Sequence, residues 1–267
     1  MSFIRSLQFF FLLFFLLLFN CLFAQTGKNG NADIIISGTI LNEFTAITAD
    51  ITSGDQFIQV ANSSLNANGR FTNDLASGDL VLIIQMQGAM IKTGVNDSTW
   101  GEITDYKNCG NYEFAVVVSV PNANTIGFIC KVQNNYSVAG KTQIVRVPRL
   151  NKLSIEEILT TDKWNGSTGG VLAVECQKTI EFFSPNGAID VAGLGFRGGD
   201  YSGIAANGGT SFVSSSASES DEKGEGIAGS QADYDIIEGR YGRGSPANGG
   251  GRRQQKQCRG RWRIERR

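Results

Sequence analysis

The feature that most constrains the fold is an alternation of apolar and polar residues with a period of two, which runs from residue 33 to about residue 148. Turn residues such as Gly, Asn, Asp and Pro interrupt the alternation, and no stretch within it carries the apolar spacing of an amphipathic helix. This pattern is typical of short strands that bury one face. The sequence therefore predicts an all-β fold class, with a small β-barrel or sandwich module over residues 33–148.

Within this module the apolar runs are predicted to be strands, and two of them form a hairpin. The hairpin pairs Phe114–Val120 with Thr125–Val132. The run Leu80–Met86 is apolar on both faces at its start but gives way to Gln85 and Gln87, so we expect one face to meet water at its end. The remaining predicted strands are Asp33–Ile40, Gln56–Val60 and Gln143–Val147.

Residues 149–192 are predicted to form the first coils of a parallel β-helix-like, glycine-rich segment. Short β-type runs separated by tight turns suit coils that bury their apolar face against neighbouring coils. One or two coils are too few, because such stacks need about three. Ser154–Glu157 also fits a helix capping box, whereas a β interpretation places Leu153 and Ile155 on one face. The runs are Gly170–Cys176, Thr179–Phe183 and Ala188–Val191.

Residues 193–251 form a glycine-rich, low-complexity region that we expect to be mostly irregular. Its polar, acidic stretch Ser211–Gly226 is predicted to be a mobile loop. Gly193, Gly195 and Gly198 match the spacing of a dinucleotide-binding loop, but no helical pattern follows to hold a pyrophosphate. We therefore interpret these glycines as turns, and we expect no cofactor.

Residues 1–24 have the layout of a secretory signal peptide. Arg5 supplies the positive charge, Phe9–Phe19 is an unbroken apolar run, and Ala24 is a small residue before a cleavage site at Gln25. The run is too short to span a bilayer comfortably. We expect the secretion machinery to be a partner through this peptide, and the mature protein to be exported and either secreted or held at the outer cell surface.

The absence of histidine limits the chemistry open to this chain. It excludes Ser-His-Asp and Cys-His catalysis and every imidazole metal ligand. The charged residues near predicted coil turns are candidates for carboxylate or lysine chemistry, and three of them also offer oxygen ligands for calcium. Such residues are ordinary at turns, so we assign no catalytic, cofactor-binding or metal site. The catalytic candidates are Lys178, Asp190, Arg197 and Asp200, and the calcium candidates are Glu181, Asp190 and Asp200.

The cysteines leave two interpretations open. An exported chain can keep disulfides, and Cys109–Cys130 is the natural pair to test. In the predicted hairpin, however, Cys130 lies opposite Ala115, so Cys109 is about 20 Å away along an extended strand. The chain would have to fold back at residues 110–111 for the two sulfurs to meet. The alternative is that Cys109, Cys130 and Cys176 are all buried thiols.

Residues 252–267 contain seven Arg, one Lys and one Glu, whereas the rest of the mature chain is acidic. The acidic body argues against nucleic acid as a partner. Basic tails do bind phosphate backbones, but another explanation lies in the codons. Suitable codons for Arg252–Arg267, shifted by one base, encode a peptide rich in Gly and Asn that continues the preceding composition. We therefore expect a frameshift here, with the native protein continuing past residue 267 and this chain forming its truncated N-terminal part.

Six stretches carry a resemblance to a known group of proteins: Ala61–Phe71, Ser77–Gly88, Asn108–Phe114, Val145–Arg149, Trp164–Gly170 and Gly195–Gly199. Together they resemble the N-terminal region of large secreted or cell-surface proteins of Bacteroidota. The resemblance covers residues 45–251. It implies type IX secretion cargo of the gliding-motility-associated type, with its sorting module at the far C-terminus, and it carries over no active-site residue.

Two functional hypotheses follow. The first is a non-enzymatic, adhesin-like β scaffold of the cell surface or secreted medium, with glycans or other surface polymers as partners. The rival is a polysaccharide lyase or glycosidase on a β-helix, which works with carboxylates, Lys or Arg alone. In either case aromatic side chains offer stacking surfaces for sugars, although aromatic residues also fill the edges of cores. The candidates for stacking are Trp100, Tyr106, Tyr112 and Trp164.

Overall fold

The computed structural model describes residues 26–200, 211–218 and 220–247. The predicted signal peptide, its cleavage site at Ala24 and Gln25, and the basic tail 252–267 lie outside these residues. The described part is nearly all β, which confirms the predicted fold class. Its strands are β1 Asn31–Ile34, β2 Thr39–Ile40, β3 Glu43–Ala46, β4 Phe57–Gln59, β5 Leu80–Gln85, β6 Met90–Ile91, β7 Ile103–Asp105, β8 Tyr112–Asn122, β9 Thr125–Phe128, β10 Thr142–Val147, β11 Arg149–Ile155, β12 Ile158–Thr160, β13 Glu175–Phe182 and β14 Ala188–Ile189, and its helix is α1 Gln231–Ile236.

Three parallel coils form a stack. The first coil consists of β1 and β2, the second of β11 and β12, and the third of β13 and β14. One parallel sheet has the order β1-β11-β13 and the other the order β14-β12-β2. The structure therefore places residues 31–40, most of which the sequence analysis grouped with the antiparallel module, in the coil stack. No local pattern indicates this pairing, because the partner strand of β1 follows far along the chain.

The chain leaves the stack after the first coil and returns at the second. In between it forms a six-stranded antiparallel sheet with the order β3-β10-β5-β8-β9-β4. The long strand β8 pairs with β5 over its first half and with β9 over its second, which lets the sheet curl into a half-barrel. A bridge between Ile47 and Val60 joins the ends of the two edge strands. The interior is filled by buried apolar residues that include Ile58, Val81, Ile83, Val117, Ile126, Phe128 and Ile144.

A second apolar layer joins the half-barrel to the coil stack. It lies on the outer face of the sheet, where Leu82 of β5 and Val145 of β10 are buried. Val171 and Ala173, from the segment that leads into β13, pack against this layer. The amide of Asn42 ties the same segment to the sheet, since its Nδ2 donates to the Arg146 carbonyl at 3.0 Å and to the Ala173 carbonyl at 2.7 Å.

The end of β5 differs from the prediction that its glutamines meet water. Gln85 and Gln87 are 1% and 2% exposed. The Gln85 Nε2 donates to the Gln87 carbonyl at 2.9 Å and to the Lys107 carbonyl at 2.8 Å. Its Oε1 accepts from the Ser137 N–H at 3.0 Å. Alternation identifies a polar position, but it does not show whether a loop folds over that position and supplies hydrogen-bond partners.

Two local predictions are settled by the strand assignments. The hairpin of β8 and β9 forms, with a tighter turn than expected, because Asn122 pairs with Thr125. Ser154 and Ile155 belong to β11, so the β interpretation is confirmed and the helix alternative is wrong. The capping box that the structure does contain joins Ser230 to Asp233 at the start of α1.

Cys109, Cys130 and Cys176 are free thiols in the structure. The Cys109 sulfur donates to the Met86 carbonyl at 3.3 Å, and burial raises the pKa of this thiol. Cys130 is exposed, which does not fit the interpretation that all three thiols are buried. The bridge between Cys109 and Cys130 stays a prediction for the oxidised, exported protein.

The described residues 211–218 and 220–247, here called the C-terminal segment, pack against the half-barrel beside β6 and β7. Within the stretch predicted to be a mobile loop, Glu222, Lys223 and Glu225 are buried. The Ile227 carbonyl accepts from the N–H groups of Gly88 and Ala89, at 2.9 and 3.1 Å. Buried charges with partners order this stretch, although its composition is that of a solvated loop.

Gly101 is the position at which the packing of the C-terminal segment is most easily tested. Its φ is +87°, and an added Cβ would collide with the backbone carbonyl of Ser245. We expect Gly101→Ala to lower the free energy of unfolding by about 2–3 kcal/mol, from the collision and the backbone strain together. Denaturant unfolding measures this change, and limited proteolysis of the C-terminal segment reports the local loosening.

The control is Gly94→Ala. Gly94 has a similar φ of +75°, but an added Cβ would meet nothing within 4 Å. This variant isolates the backbone strain of about 1 kcal/mol. Equal losses in the two variants would contradict the packing of residue 245 against Gly101.

Candidate ligand cleft

Two pockets, which an ion pair separates and which are here called the two lobes of one cleft, lie between the coil stack and the loops of the half-barrel. The first lobe has a volume of about 570 Å³ and is lined by the start of the first coil, by residues 70–76 and by the end of β10. The second lobe, of about 370 Å³, is lined mainly by polar side chains. Those of the second lobe are Asn68, Asp162, Lys163, Asn165 and Thr168, together with Phe44 and Gly169.

An ion pair between Arg70 and Asp162 separates the two lobes. Arg70 lines the first lobe and Asp162 lines the second. The guanidinium donates through Nη1 to Oδ2 at 2.5 Å and through Nη2 to Oδ1 at 2.9 Å. Such bidentate pairs have a defined geometry. Asp162 belongs to the segment after the second coil, so the pair also connects the half-barrel to the stack.

A buried charged cluster lies behind the first lobe. Asp79 and Arg146 are 4% and 3% exposed, and the Arg146 Nη2 donates to the Asp79 Oδ2 at 2.7 Å. Lys28 forms a second ion pair with the other oxygen of Asp79, at 2.6 Å. The Arg146 guanidinium stacks 3.9 Å from the centre of the Phe71 ring. Burial lowers the pKa of Arg146 against the opposing effect of Asp79.

One nitrogen of this cluster is left unsatisfied. The Nε of Arg146 is buried and has no hydrogen-bond partner within the described ranges. An unmade hydrogen bond of a buried polar group costs about 1–3 kcal/mol. Arg146 lines the first lobe, but its Nε is not exposed there, so a ligand oxygen removes this cost only when the guanidinium moves toward the lobe. The sequence contained a hint of this residue, since Arg146 interrupts the apolar run from Ile144 to Val147.

The catalytic and calcium candidates from the sequence are dispersed. Asp190 accepts the N–H of Ala192 at 2.9 Å and so stabilises a turn. Glu181 pairs with Lys152 at 2.8 Å, and this hydrogen bond lowers its pKa.

The remaining candidates have separate surroundings. Arg197 pairs with Glu225 at 2.8 Å. Asp200 donates its N–H to Glu222 at 2.8 Å, and Lys178 is exposed on β13. Within the part of the chain that the structure describes, no group of three or more His, Cys, Asp or Glu is placed to hold a metal ion.

The four aromatic candidates divide into two buried and two exposed residues. Trp100 and Trp164 are 2% and 1% exposed, so neither offers a face to a sugar. Tyr106 and Tyr112 are 60% and 62% exposed. Phe114, on the same face of β8 as Tyr112, is 55% exposed. Of the four candidates, Tyr106 and Tyr112 therefore remain available for stacking, and Phe114 extends the exposed aromatic surface of Tyr112 on β8.

The described residues define an all-β scaffold in which three parallel coils carry a half-barrel and a polar cleft between them. Among these residues, no helix has the length and apolar character needed to cross a membrane. No protein family matches the chain, and no curated protein matches it.

Solved structures similar to the chain include three phage tailspikes. One is the gp54 tailspike of Acinetobacter baumannii bacteriophage AP22, in complex with an A. baumannii capsular saccharide, at 16% identity and a TM-score of 0.29, covering 58% of this chain and 26% of that one. The gp61 tailspike of Pseudomonas phage phi297 is 13% identical, with a TM-score of 0.27, and the match covers 60% of this chain and 25% of that one. The gp49 tailspike of Pseudomonas phage LKA1 is 13% identical, with a TM-score of 0.24, and the match covers 61% of this chain and 33% of that one. The chain thus spans about a quarter to a third of these proteins, and TM-scores this low support no conclusion about its function.

Proposed function

We propose that this chain belongs to an exported, adhesin-like β scaffold of the cell surface and binds polysaccharide in the two-lobed cleft. The observation that carries the proposal is the first lobe with its unsatisfied Arg146 Nε. A buried donor without an acceptor, at the wall of a cleft, favours a ligand that supplies an oxygen atom. The signal-peptide layout of residues 1–24 and the resemblance to Bacteroidota surface proteins support export.

The lining of the cleft suits a ligand rich in oxygen atoms. Amide and hydroxyl groups such as those of Asn68 and Thr168 both donate and accept hydrogen bonds, as sugar hydroxyls do. In the first lobe, three cations stand against two carboxylates. Arg70 is already paired with Asp162, but Lys28 and Arg146 share the one carboxylate of Asp79. The excess of cations at this cluster favours a polysaccharide that carries carboxylates, because charge-assisted hydrogen bonds are the stronger kind. The cations are Lys28, Arg70 and Arg146, and the carboxylates are Asp74 and Asp79.

Blocking the cleft tests this proposal. Thr72 is exposed and lines the first lobe, so Thr72→Trp fills the lobe without removing the buried cluster. We expect this variant to weaken binding to an acidic polysaccharide such as polygalacturonate by at least about tenfold, about 1.4 kcal/mol. Lys163→Ala, in the second lobe, is expected to cause a smaller loss. Retardation in affinity gels containing polygalacturonate or neutral dextran measures both effects.

The matched control is Thr93→Trp, since Thr93 is also exposed but lines neither lobe. A wild-type chain that binds neither polysaccharide would overturn the proposal. If Tyr112→Ala loses polysaccharide binding while Thr72→Trp binds as the wild type does, the binding site is the exposed aromatic surface of β8 and not the cleft. Release of unsaturated or reducing sugar by the purified protein would favour the lyase or glycosidase alternative instead.

A further inference from the structure

The third coil of the stack is open on its outer side. The parallel register aligns Ile34 of β1 with Ile155 of β11, and Ile155 with Phe182 of β13. Their exposed fractions are 1%, 0% and 55%. The other sheet repeats the contrast, because Leu159 of β12 is 0% exposed and its partner Ile189 is 46% exposed. The third coil covers the inward-facing side chains of the second coil, but no further coil in the described ranges covers those of the third.

The backbone of the third coil is open as well. β13 and β14 are the outermost strands of their sheets, and no described strand pairs with their outer edges. An exposed apolar edge strand is a template for pairing with another strand. Together the side chains of this edge form one apolar surface, here called the open face. It consists of Ile180, Phe182, Ile189 and Val191, which are 44% to 55% exposed.

We propose that the open face is the docking surface of a fourth parallel coil, supplied by a later segment of the longer protein of which this chain is the N-terminal part. The proposal rests on the proposed function and on the frameshift expected from the codons of residues 252–267, which makes this chain part of a longer protein. The open face continues an interface that already exists, because the pairing of β13 with β11 repeats that of β11 with β1. The partner needs parallel strands and apolar side chains that point into the stack.

Chain order supports this occupant. The coils follow one another along the chain, so the open face is the one that later residues approach. At the other end of the stack Ile34 is 1% exposed, but Ile35 and Ile36 of the same coil are 64% and 70% exposed, so a head-to-tail copy of the chain is the rival occupant that the test below distinguishes. The chain also makes one long excursion between coils, from Asn42 to Pro148, and returns in register. Beyond Val191 the Leu194 carbonyl still accepts from the Trp164 N–H at 2.8 Å, and Arg197 then pairs with Glu225 of the C-terminal segment.

The first test is to sequence the gene across the codons of residues 245–267 and to express both the 267-residue chain and the chain in the native frame. Hydrogen exchange of the β13 amides, Glu175–Phe182, then measures whether the edge is covered. We expect exchange at least about 100-fold slower in the longer protein, because a docked coil protects the edge. Phe182→Lys is expected to abolish this protection in the longer protein and to change the thermal midpoint of the shorter chain by less than about 3 °C.

Ile155→Lys is the matched control, since it is register-paired with Phe182 but buried in both proteins, and we expect it to lower the thermal midpoint of both. A frame that ends after Arg267, or equal exchange of β13 in the two proteins, would overturn the proposal. So would a dimer of the short chain, detected by light scattering, that protects β13 at rising concentration. Polysaccharide binding is measured separately, so its failure leaves the protection of β13 as an independent result.

Discussion

Replacing Asp79 by Ala is expected to lower the free energy of unfolding by about 3–5 kcal/mol, the largest loss among the ion pairs described above. The substitution leaves the Arg146 guanidinium buried without its carboxylate, while the Nε of the same side chain already lacks a partner. Lys28 loses this carboxylate too, but its Nζ still donates to the Ser77 carbonyl at 2.8 Å. Urea unfolding followed by tryptophan fluorescence measures the change.

Two comparisons show whether the loss comes from the uncompensated charge. Asp105→Ala removes an exposed ion pair with Lys107. The two side chains are 49% and 55% exposed, so we expect no measurable change in the free energy of unfolding. The double variant Asp79→Leu with Arg146→Met removes both buried charges, and we expect it to recover most of the stability. If the double variant is as unstable as Asp79→Ala, the loss comes from packing rather than from the charge.

We expect the stability of the wild-type protein to rise with pH above about pH 7, and we expect Lys223→Met to remove this rise. The Lys223 side chain is 0% exposed, its Nζ lies 4.4 Å from the centre of the Trp100 ring, and it donates to the carbonyls of Gly239, at 2.7 Å, and Tyr241. Burial lowers the pKa of Lys223 from 10.5 to about 7. The unfolded chain keeps this proton up to about pH 10.5 and the folded chain only up to about pH 7.

Between these two pH values the unfolded state binds more protons, so the free energy of unfolding rises with pH. We expect the free energy of unfolding to rise by about 2–4 kcal/mol from pH 7 to pH 10. The rise is limited because the two carbonyls and the indole ring favour the ammonium form in the folded chain. Above pH 10 the sign reverses, since burial raises the pKa of Tyr136 and Tyr234 in the folded chain. Denaturant unfolding at several pH values measures the slope, and exposed Lys131→Met is the control that should retain it. An unchanged slope in Lys223→Met would assign the pH dependence to other groups.

Local patterns predicted the class of the fold well, because alternation and turn chemistry are set by neighbouring residues. The hairpin of β8 and β9 and the buried start of β5 followed from such patterns. The first coil did not, since Asp33–Ile40 has the same alternation whether its partner is an adjacent antiparallel strand or a distant parallel one. The count of coils was therefore too low, and only the parallel register of β1 with β11 corrects it.

The cleft could not be predicted from the sequence either. Its walls come from the start of the first coil, the loop 70–76, the end of β10 and the segment after the second coil, which meet only in the folded chain. A buried Arg146 within an apolar strand was the one local indication of a special position. Lys223 carried no indication at all, because a lysine among Ser, Asp, Glu and Gly has the composition of solvated loops.

The insertion of the half-barrel between the first two coils determines how the chain responds to a pulling force. The inserted part leaves and rejoins the stack at neighbouring points, since the Asn42 amide hydrogen-bonds the carbonyl of Arg146, next to the start of β11. Tension that enters at β1 passes to β11 through the backbone hydrogen bonds of their parallel pairing, from Asn31 and Lys152 to Ile34 and Ile155. These bonds lie across the direction of pull and share the tension in shear. The antiparallel strands of the half-barrel stay outside this mechanical path, whereas the first lobe of the cleft lies against it, because Asn31 and Ala32 of β1 and Leu150 of β11 line that lobe.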